Sequence, residues 1–409
     1  MTEVIEQIKE KEIEQGKEKR NVPKLRFRGF EDEWTKYCFF DCVTIRNGQV
    51  SPLERPYCDM PHIGPGNIEK YTGRLLDYNT AKEDKQISGK YLFDEYDIIY
   101  GKINPQLGKV VFPQFKGLCS ADAYPLKVNR NIMVSYFLFM YLQTQRFSKY
   151  TISVSMRSGM PKINREELGE FQFKVPSLQE QKKIAVFFTL IDRKIEKQSE
   201  KVEALKTYQK GIIQKIFKQE IRFKDENGRE YPEWGNKKIN EIFILTRGEV
   251  IAKTAISDKK TEIFKYPVYS SQTTNKGILG YDAKFDFSGE YLTWTTDGAN
   301  AGKVFKRKGE FRCTNVCGLL VEKAETKGFA NNCIKEILDK ATPRHVSYVG
   351  NPKLMNNVMG NIRINIPCLS EQSKIAEFLT TIDEKIEKEE KKLDELKVWK
   401  KGLLQKMFI

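Results

Sequence analysis

Two stretches of the chain place apolar residues at alternating steps of four and three. In the first they are Ile184, Phe188, Ile191, Ile195, Val202, Leu205, Ile212 and Ile216, with Gln198 and Gln209 on the same stripe. In the second they are Ile375, Leu379, Ile382, Ile386, Leu393, Leu396, Leu403 and Met407, with Glu389 and Lys400 on the stripe. Steps averaging about 3.5 residues over about five heptads are the coiled-coil period. Each stretch is therefore predicted as one helix, ~57 Å long at about 1.5 Å per residue. Two such seams in one chain most economically bury each other. Ser177-Leu178-Gln179-Glu180, following Pro176, fits a capping box that opens the first helix. Cys368 replaces that serine in the second, which leaves Ser370 as its candidate cap.

The stretches before each helix read differently. Strand-like runs fall at 96–100, 110–112 and 124–128, followed by a helical segment over 131–149 with Asn131 as its cap. The second unit has strand-like runs at 291–296, 304–306 and 318–321, then a helix over 331–340. Phe171, Phe173 and Val175 alternate as a half-buried strand should, and so do Ile362, Ile364 and Ile366.

These parallels are an internal duplication. VPSLQEQKKIAVFF from Val175 and IPCLSEQSKIAEFL from Ile366 align at a constant offset of 191, without a gap through Phe217 and Phe408. About half of the positions in that alignment are identical. Gly159, Pro161, Lys162 and Ile163 match Gly350, Pro352, Lys353 and Leu354 at the same offset. Leu25-Arg26-Phe27 with Glu33-Trp34 recurs as Ile221-Arg222-Phe223 with Glu233-Trp234. The order is globular unit, helix, globular unit, helix. Heptads alone would suit any structural or dimerising coiled coil; helices joined to globular units point to a spacer between two modules.

Charge narrows the class. The 409 residues hold 70 Lys+Arg against 55 Asp+Glu, a formal charge of +15, which favours a polyanionic partner, nucleic acid before membrane. Residues 1–21 form a charged stretch without the apolar core of a secretory signal. The longest apolar run, 136–142, is far short of the ~20 residues that span a bilayer, so a cytoplasmic location is expected. The eight cysteines show no zinc spacing and only His62 and His345 could join them. Buried, reduced thiols are the expectation, with no metal site.

Catalytic signatures are missing. Gly298-Ala-Asn-Ala-Gly302-Lys303-Val304 has three residues between its glycines, where a phosphate-binding loop has four, and no Ser or Thr follows the lysine. Asn104-Pro105-Gln106 and Asn351-Pro352-Lys353 each carry one proline, where an amino-methylase tetrapeptide needs two. The chain does not read as an enzyme.

The L-R-F…E-W entry, the P-x-L-x-E-Q-x-K-I-A-x-F helix opening and the K-G-[IL]-[IL]-Q-K-[IM]-F ending resemble the specificity subunits of type I restriction-modification systems. The resemblance covers nearly the whole chain. It implies an α+β chain of two globular α/β target recognition domains joined by two long helices that pair as an antiparallel coiled coil, with pseudo-two-fold symmetry. The expected boundaries are 1–21 tail, 22–174 first domain, 175–220 first helix, 221–365 second domain and 366–409 second helix. It further implies that each domain reads half of a bipartite double-stranded DNA target. The helices would set the spacing and bind two methylase subunits, and restriction-translocase subunits would join through the methylase complex. No cofactor is expected in this chain; S-adenosylmethionine, ATP and Mg belong to the partner subunits. A ~57 Å helix covers about 17 base pairs, enough for two successive major grooves about 34–36 Å apart.

Polar loop residues beside the shared Gly-Lys-Val steps are the candidate DNA contacts, because such side chains pair with phosphates and base edges. They are Lys102, Asn104, Gln106, Lys109, Arg157, Ser158 and Lys162 in the first unit. In the second they are Ser270, Ser271, Gln272, Asn275, Thr295, Thr296, Asn300, Lys303 and Lys353. Each has the alternative of a turn or solvated surface, and 159–162 reads equally as a structural turn. The charged outer faces of the helices are either a partner interface or plain solvated surface. A coiled-coil protein-interaction scaffold without DNA binding is the competing reading of the whole chain.

Overall fold

The computed structural model describes residues 8–10, 21–156 and 159–409. It resolves into two compact units, residues 1–199 with 391–409, and residues 200–390. The predicted helices span Leu178–Phe217 and Leu369–Met407, so each unit holds part of both.

In the first unit, the strands Val43–Ile45, Ala123–Val128, Ile98–Gly101 and Val110–Val111 form an antiparallel sheet in that order. A second sheet runs Gln49–Val50, Lys90–Phe93, Gly117–Cys119, His62–Ile63, its last pair parallel. The helical segment expected over 131–149 is instead two helices, Ser135–Tyr141 and Gln145–Ser155. Thr144 divides them by capping the second: its hydroxyl accepts from Phe147 N, and such a cap needs extended backbone that ends the first helix. Asn131 lies ahead of both and its backbone N–H is bonded to the Asn129 side chain. From the charged N-terminal stretch, Ile8–Glu10 pairs antiparallel with Leu25–Phe27, whose backbone would otherwise be an open edge. The other residues up to 20 lie outside the described ones.

The second unit has one six-stranded sheet, ordered Phe243–Arg247, Cys317–Glu322, Phe287–Thr295, Val304–Cys313, Tyr266–Tyr269, Ile278–Asp282. Its helix Asn332–Ala341 is capped by Asn331, whose side chain accepts from Ile334 N at 3.0 Å. Both units share a two-stranded ribbon just before the long helix. Thr35–Cys38 pairs with Gln172–Val175, and Gly235–Lys238 with Arg363–Ile366. The alternation in the second strand of each ribbon buries Phe173, Val175, Ile364 and Ile366.

The helix seams are buried or half-buried at every predicted position. Within the first unit Asp192 meets Lys400 Nζ at 2.7 Å. Within the second, Lys201 meets Glu389 at 3.0 Å, Lys206 meets Glu390 at 2.9 Å, and Gln209 donates to Asp383 at 2.5 Å. Within the second unit the partner falls from Glu389 to Asp383 as the first helix runs from Lys201 to Gln209, which is antiparallel pairing. The polar seam residues Glu389 and Lys400 thus have charged partners, as buried charges require. Each helix ends in a globular core. Leu403, Leu404, Met407 and Phe408 pack in the first unit's core, and Ile212, Ile213, Ile216 and Phe217 in the second's.

The two globular units are fixed to the helix starts by the same pair of residues, Glu-Gln. Arg26 Nε and Nη2 donate to the two carboxylate oxygens of Glu180, each at 2.7 Å, with both side chains almost fully buried. Arg222 repeats this on Glu371 at 3.3 and 2.9 Å, and Trp234 Nε1 adds a third donor at 3.1 Å. Gln181 receives from Val134 N and donates to the carbonyls of Ile132 and Pro176. Gln372 receives from the Asn331 side chain and donates to Pro367 O. The capping expectation is corrected here. Ser177 Oγ accepts from Glu180 N at 3.4 Å, but the Glu180 carboxylate turns to Arg26 rather than back to the cap. Ser370 lies inside the second helix, which starts at Leu369.

Removing one partner of a buried bidentate ion pair strands the other charge. Glu180→Ala is expected to destabilise the chain by about 3–5 kcal/mol, and a paired Arg26→Met, Glu180→Leu change to recover most of it. Denaturant unfolding of the full chain checks this; a loss below ~1 kcal/mol for Glu180→Ala contradicts it.

Candidate nucleic-acid interface

In the first unit the loop after strand Ile98–Gly101 carries Lys102 to Lys109, and segment 159–163 runs beside it. Ile103 and Lys162 form an isolated antiparallel bridge. Asn104 N donates to Pro161 O at 2.7 Å and Ile163 N to Lys102 O at 3.0 Å. The second unit repeats the arrangement. Asp297 bridges Lys353, Gly298 N donates to Pro352 O at 2.9 Å, and Leu354 N to Thr296 O at 2.9 Å. Segment 159–162 is therefore a structural element, and Lys162 still projects from it exposed.

The candidate side chains divide into those that face solvent and those that hold the loop. Gln106 is exposed and donates to Asn104 Oδ1 at 3.2 Å; Asn104 takes a left-handed backbone, φ 51°, which asparagine tolerates. Lys102 is half-buried, its ammonium 5.3 Å from the Tyr124 ring, with Arg165 over the same ring at 6.0 Å. Lys109 turns inward and its ammonium donates to Pro65 O. Burial, and then the charge of Lys70, hold the pKa of Lys109 below the usual lysine value. Arg157 and Ser158 lie outside the described residues.

In the second unit Asn275, Asn300, Lys303 and Lys353 are exposed. Asn300 donates to Thr273 Oγ1 at 3.0 Å; Lys303 pairs with Asp339, and Lys353 lies 3.8 Å from Asp297. Thr295 and Thr296, expected at the surface, are buried at 1% and 0% exposure. Thr296 Oγ1 donates to Val316 O at 2.8 Å and Thr295 Oγ1 to Asn300 O, so both are struts of the loop rather than contacts. Strand Phe287–Thr295 ends there, and period-two counting alone does not show that both threonines turn inward. Ser271 is a third strut: its hydroxyl donates to Val316 O and accepts from Thr296 N at 3.0 Å. Ser270 and Gln272 are half-buried, the one accepting from Thr314 Oγ1 at 3.2 Å, the other donating to Ile278 O.

Arg307 was not among the expected residues. It is 5% exposed, lies 3.6 Å from the Tyr269 ring centroid and donates to Thr293 Oγ1 and Lys276 O. Burial pushes its pKa down. It holds the turn in which Asn275 and Lys276 both take left-handed backbone. The signal was present in the strand alternation, which sets Arg307 opposite in sense to Lys306 and Lys308.

Two copies of a sheet-and-loop unit, each fixed to a long helix, match a known pattern. The model of the type I restriction modification DNA specificity domain matches residues 31–207 and 231–398. The chain belongs to this family. It is 42% identical over 148 residues to a putative type I specificity subunit of Mycoplasma pneumoniae, covering 36% of this chain and 39% of that protein. It is 34% identical over 195 residues to the specificity subunit of the type I restriction enzyme EcoDI of Escherichia coli, covering 46% and 43%. The chain thus spans about two fifths of the length of these two curated relatives. A crystal structure of a type I restriction-modification S subunit from M. genitalium has the same fold, with a TM-score of 0.59 at 17% identity over 95% of this chain and 99% of that one. The duplicated Glu-Gln anchors and loop ties recur in both of the family-matched segments. No helix among the described residues is long and apolar enough to cross a membrane.

Thr296→Val deletes a buried hydroxyl that bonds Val316 O and is expected to cost about 1–3 kcal/mol. Gln106→Ala, at an exposed site, should stay within about 0.5 kcal/mol of the parent. Parallel unfolding curves check the contrast, and equal losses contradict the division into struts and surface.

Proposed function

We propose that this chain is the non-catalytic, DNA-sequence-reading subunit of a type I restriction-modification complex. Each globular domain, 22–174 and 221–365, reads one half of a bipartite duplex target. The helices 175–220 and 366–409 set the separation of the half-sites and bind two methylase subunits. Methyl transfer with S-adenosylmethionine, and ATP- and Mg-dependent translocation and cleavage, belong to those partners and to the restriction subunits that join through them.

The observation that carries this reading is the division between what the two units share and what they do not. Both keep the Arg-Glu anchor and the same backbone ties between their loops. The exposed side chains on those loops differ: Gln106 and Lys162 in one, Asn275, Asn300, Lys303 and Lys353 in the other. A constant frame carrying unlike polar loops suits a reader of two unlike half-sequences. Family membership supports the same conclusion. Phosphate contacts by the lysines would supply much of the affinity and make it salt-dependent, while the amides read base edges at roughly 1–3 kcal/mol per good bidentate pair.

Replacing residues 22–174 with the corresponding domain of another specificity subunit is expected to change one half of the target and leave the other and the spacing intact. Change in both halves contradicts modular reading. Lys162→Ala in the assembled complex should weaken duplex binding across all sequences and reduce the slope of log affinity against log salt by about 1. Binding by the parent complex that does not respond to salt, or no binding at all, would favour the protein-interaction scaffold.

A further inference from the structure

The segment Ser347–Lys353 is a closed hairpin at the edge of the loop cluster. Ser347 N donates to Lys353 O and Lys353 N to Ser347 O, both at 2.9 Å. Gly350 takes φ 75° at its tip, and Gly298 N ties it to the neighbouring loop through Pro352 O. Val346 at its base packs against the domain core. The backbone is thus held from both sides, yet it carries Tyr348 outward at 68% exposure and Val349 at 93%. Two adjacent apolar side chains held in water on a loop tied by backbone hydrogen bonds are a candidate binding feature.

The surroundings identify the occupant. From Lys340 to Lys353 the sequence has three cations, Lys340, Arg344 and Lys353, and no acid. Among the described residues, Asp297 of the neighbouring loop, 3.8 Å from Lys353, is the one carboxylate paired with them. A polyanion fits that setting better than a protein surface does. The first unit carries the same composition at the same offset of 191: Lys149 to Lys162 holds three cations and no acid. There too two large apolar side chains are exposed, Met156 at 74% and Met160 at 69%. The positions that align with Tyr348 and Val349 are Arg157 and Ser158, so the two segments share composition rather than the apolar pair itself.

Resting on the reading of this chain as a DNA-recognition subunit, we propose that Tyr348 and Val349 form an apolar wedge that enters the base stack of the second half-site and opens one base step. Apolar side chains flanked by phosphate-binding cations do this in duplex DNA, kinking it and so reading its deformability as well as its base edges. Tyr348 supplies a flat face for stacking on the exposed base, and Val349 fills the gap beside it. The hairpin's two closing hydrogen bonds keep the wedge from folding back onto its own domain.

The test uses the full chain assembled with its methylase subunits on its target duplex, with 2-aminopurine placed at one position of the second half-site at a time. At one base step the parent complex should give a several-fold rise in fluorescence that the Tyr348→Ala, Val349→Ser double variant loses. Tyr348→Phe should retain it, which also shows that a change at this position leaves the domain folded. Any rise from the methylase turning out its own adenine persists in the double variant and so is separable. Salt-dependent binding by the parent with identical fluorescence in the double variant at every position overturns the wedge and leaves the DNA-recognition reading standing. Failure of the double variant to assemble with the methylase also overturns it, by assigning the hairpin to that partner. Absence of duplex binding by the parent complex removes the DNA-recognition reading itself.

Discussion

An arginine paired to a buried carboxylate at the start of each long helix fixes how everything before the helix is held. Arg26 reaches from the entry strand to Glu180 in the first turn of one helix, and Arg222 reaches to Glu371 in the other. The guanidinium fork meets the carboxylate through two parallel hydrogen bonds, so the contact sets an angle as well as a distance. The adjacent Gln181 and Gln372 bond backbone and side-chain groups of the same globular unit, adding further fixed points. Desolvation makes such a pair a weak source of net stability. Its effect is on orientation, and a module that reads a surface with loops needs orientation most.

From that anchor the units build outward along one plan. A two-stranded ribbon closes each unit just before its helix. The loops beyond are then held by backbone hydrogen bonds that recur in both copies, such as Asn104 to Pro161 and Gly298 to Pro352. Backbone bonds leave side chains free to vary, which explains how the loop residues diverged while the frame did not. The helix ends are constrained as strongly as the starts, since Phe408 packs among Trp34, Phe137, Tyr141 and Phe188. The G-[IL]-[IL]-Q-K-[IM]-F ending is thus a core-forming segment as well as the close of a seam.

The helices, their seam and the duplication were legible because heptad spacing and a constant offset of 191 are properties of sequence alone. Eight of the twenty described strands were legible too, through alternation bounded by glycine and proline, and the other twelve were not. Three kinds of feature were hidden. The break at Thr144 was missed because the apolar run from Tyr136 to Leu142 reads as continuous helix while a single hydroxyl cap decides its end. The role of Glu180 was read as a local cap because its partner, Arg26, is 154 residues away. Residue type likewise placed Ser271, Thr295 and Thr296 with Asn300 among the surface polar residues, although tertiary hydrogen bonds turn the first three inward. Short polar side chains serve equally as struts and as contacts, and only burial separates the two.

The central claim, that this chain supplies the sequence specificity of a DNA-modifying complex, is tested most directly by mapping N6-methyladenine across a genome. Cells expressing the chain with its methylase subunit are compared with cells that carry the methylase subunit alone. The account predicts a two-part motif with a fixed spacer, methylated only when the chain is present. An unchanged map, with a methylase subunit that is active alongside another specificity chain, would contradict it.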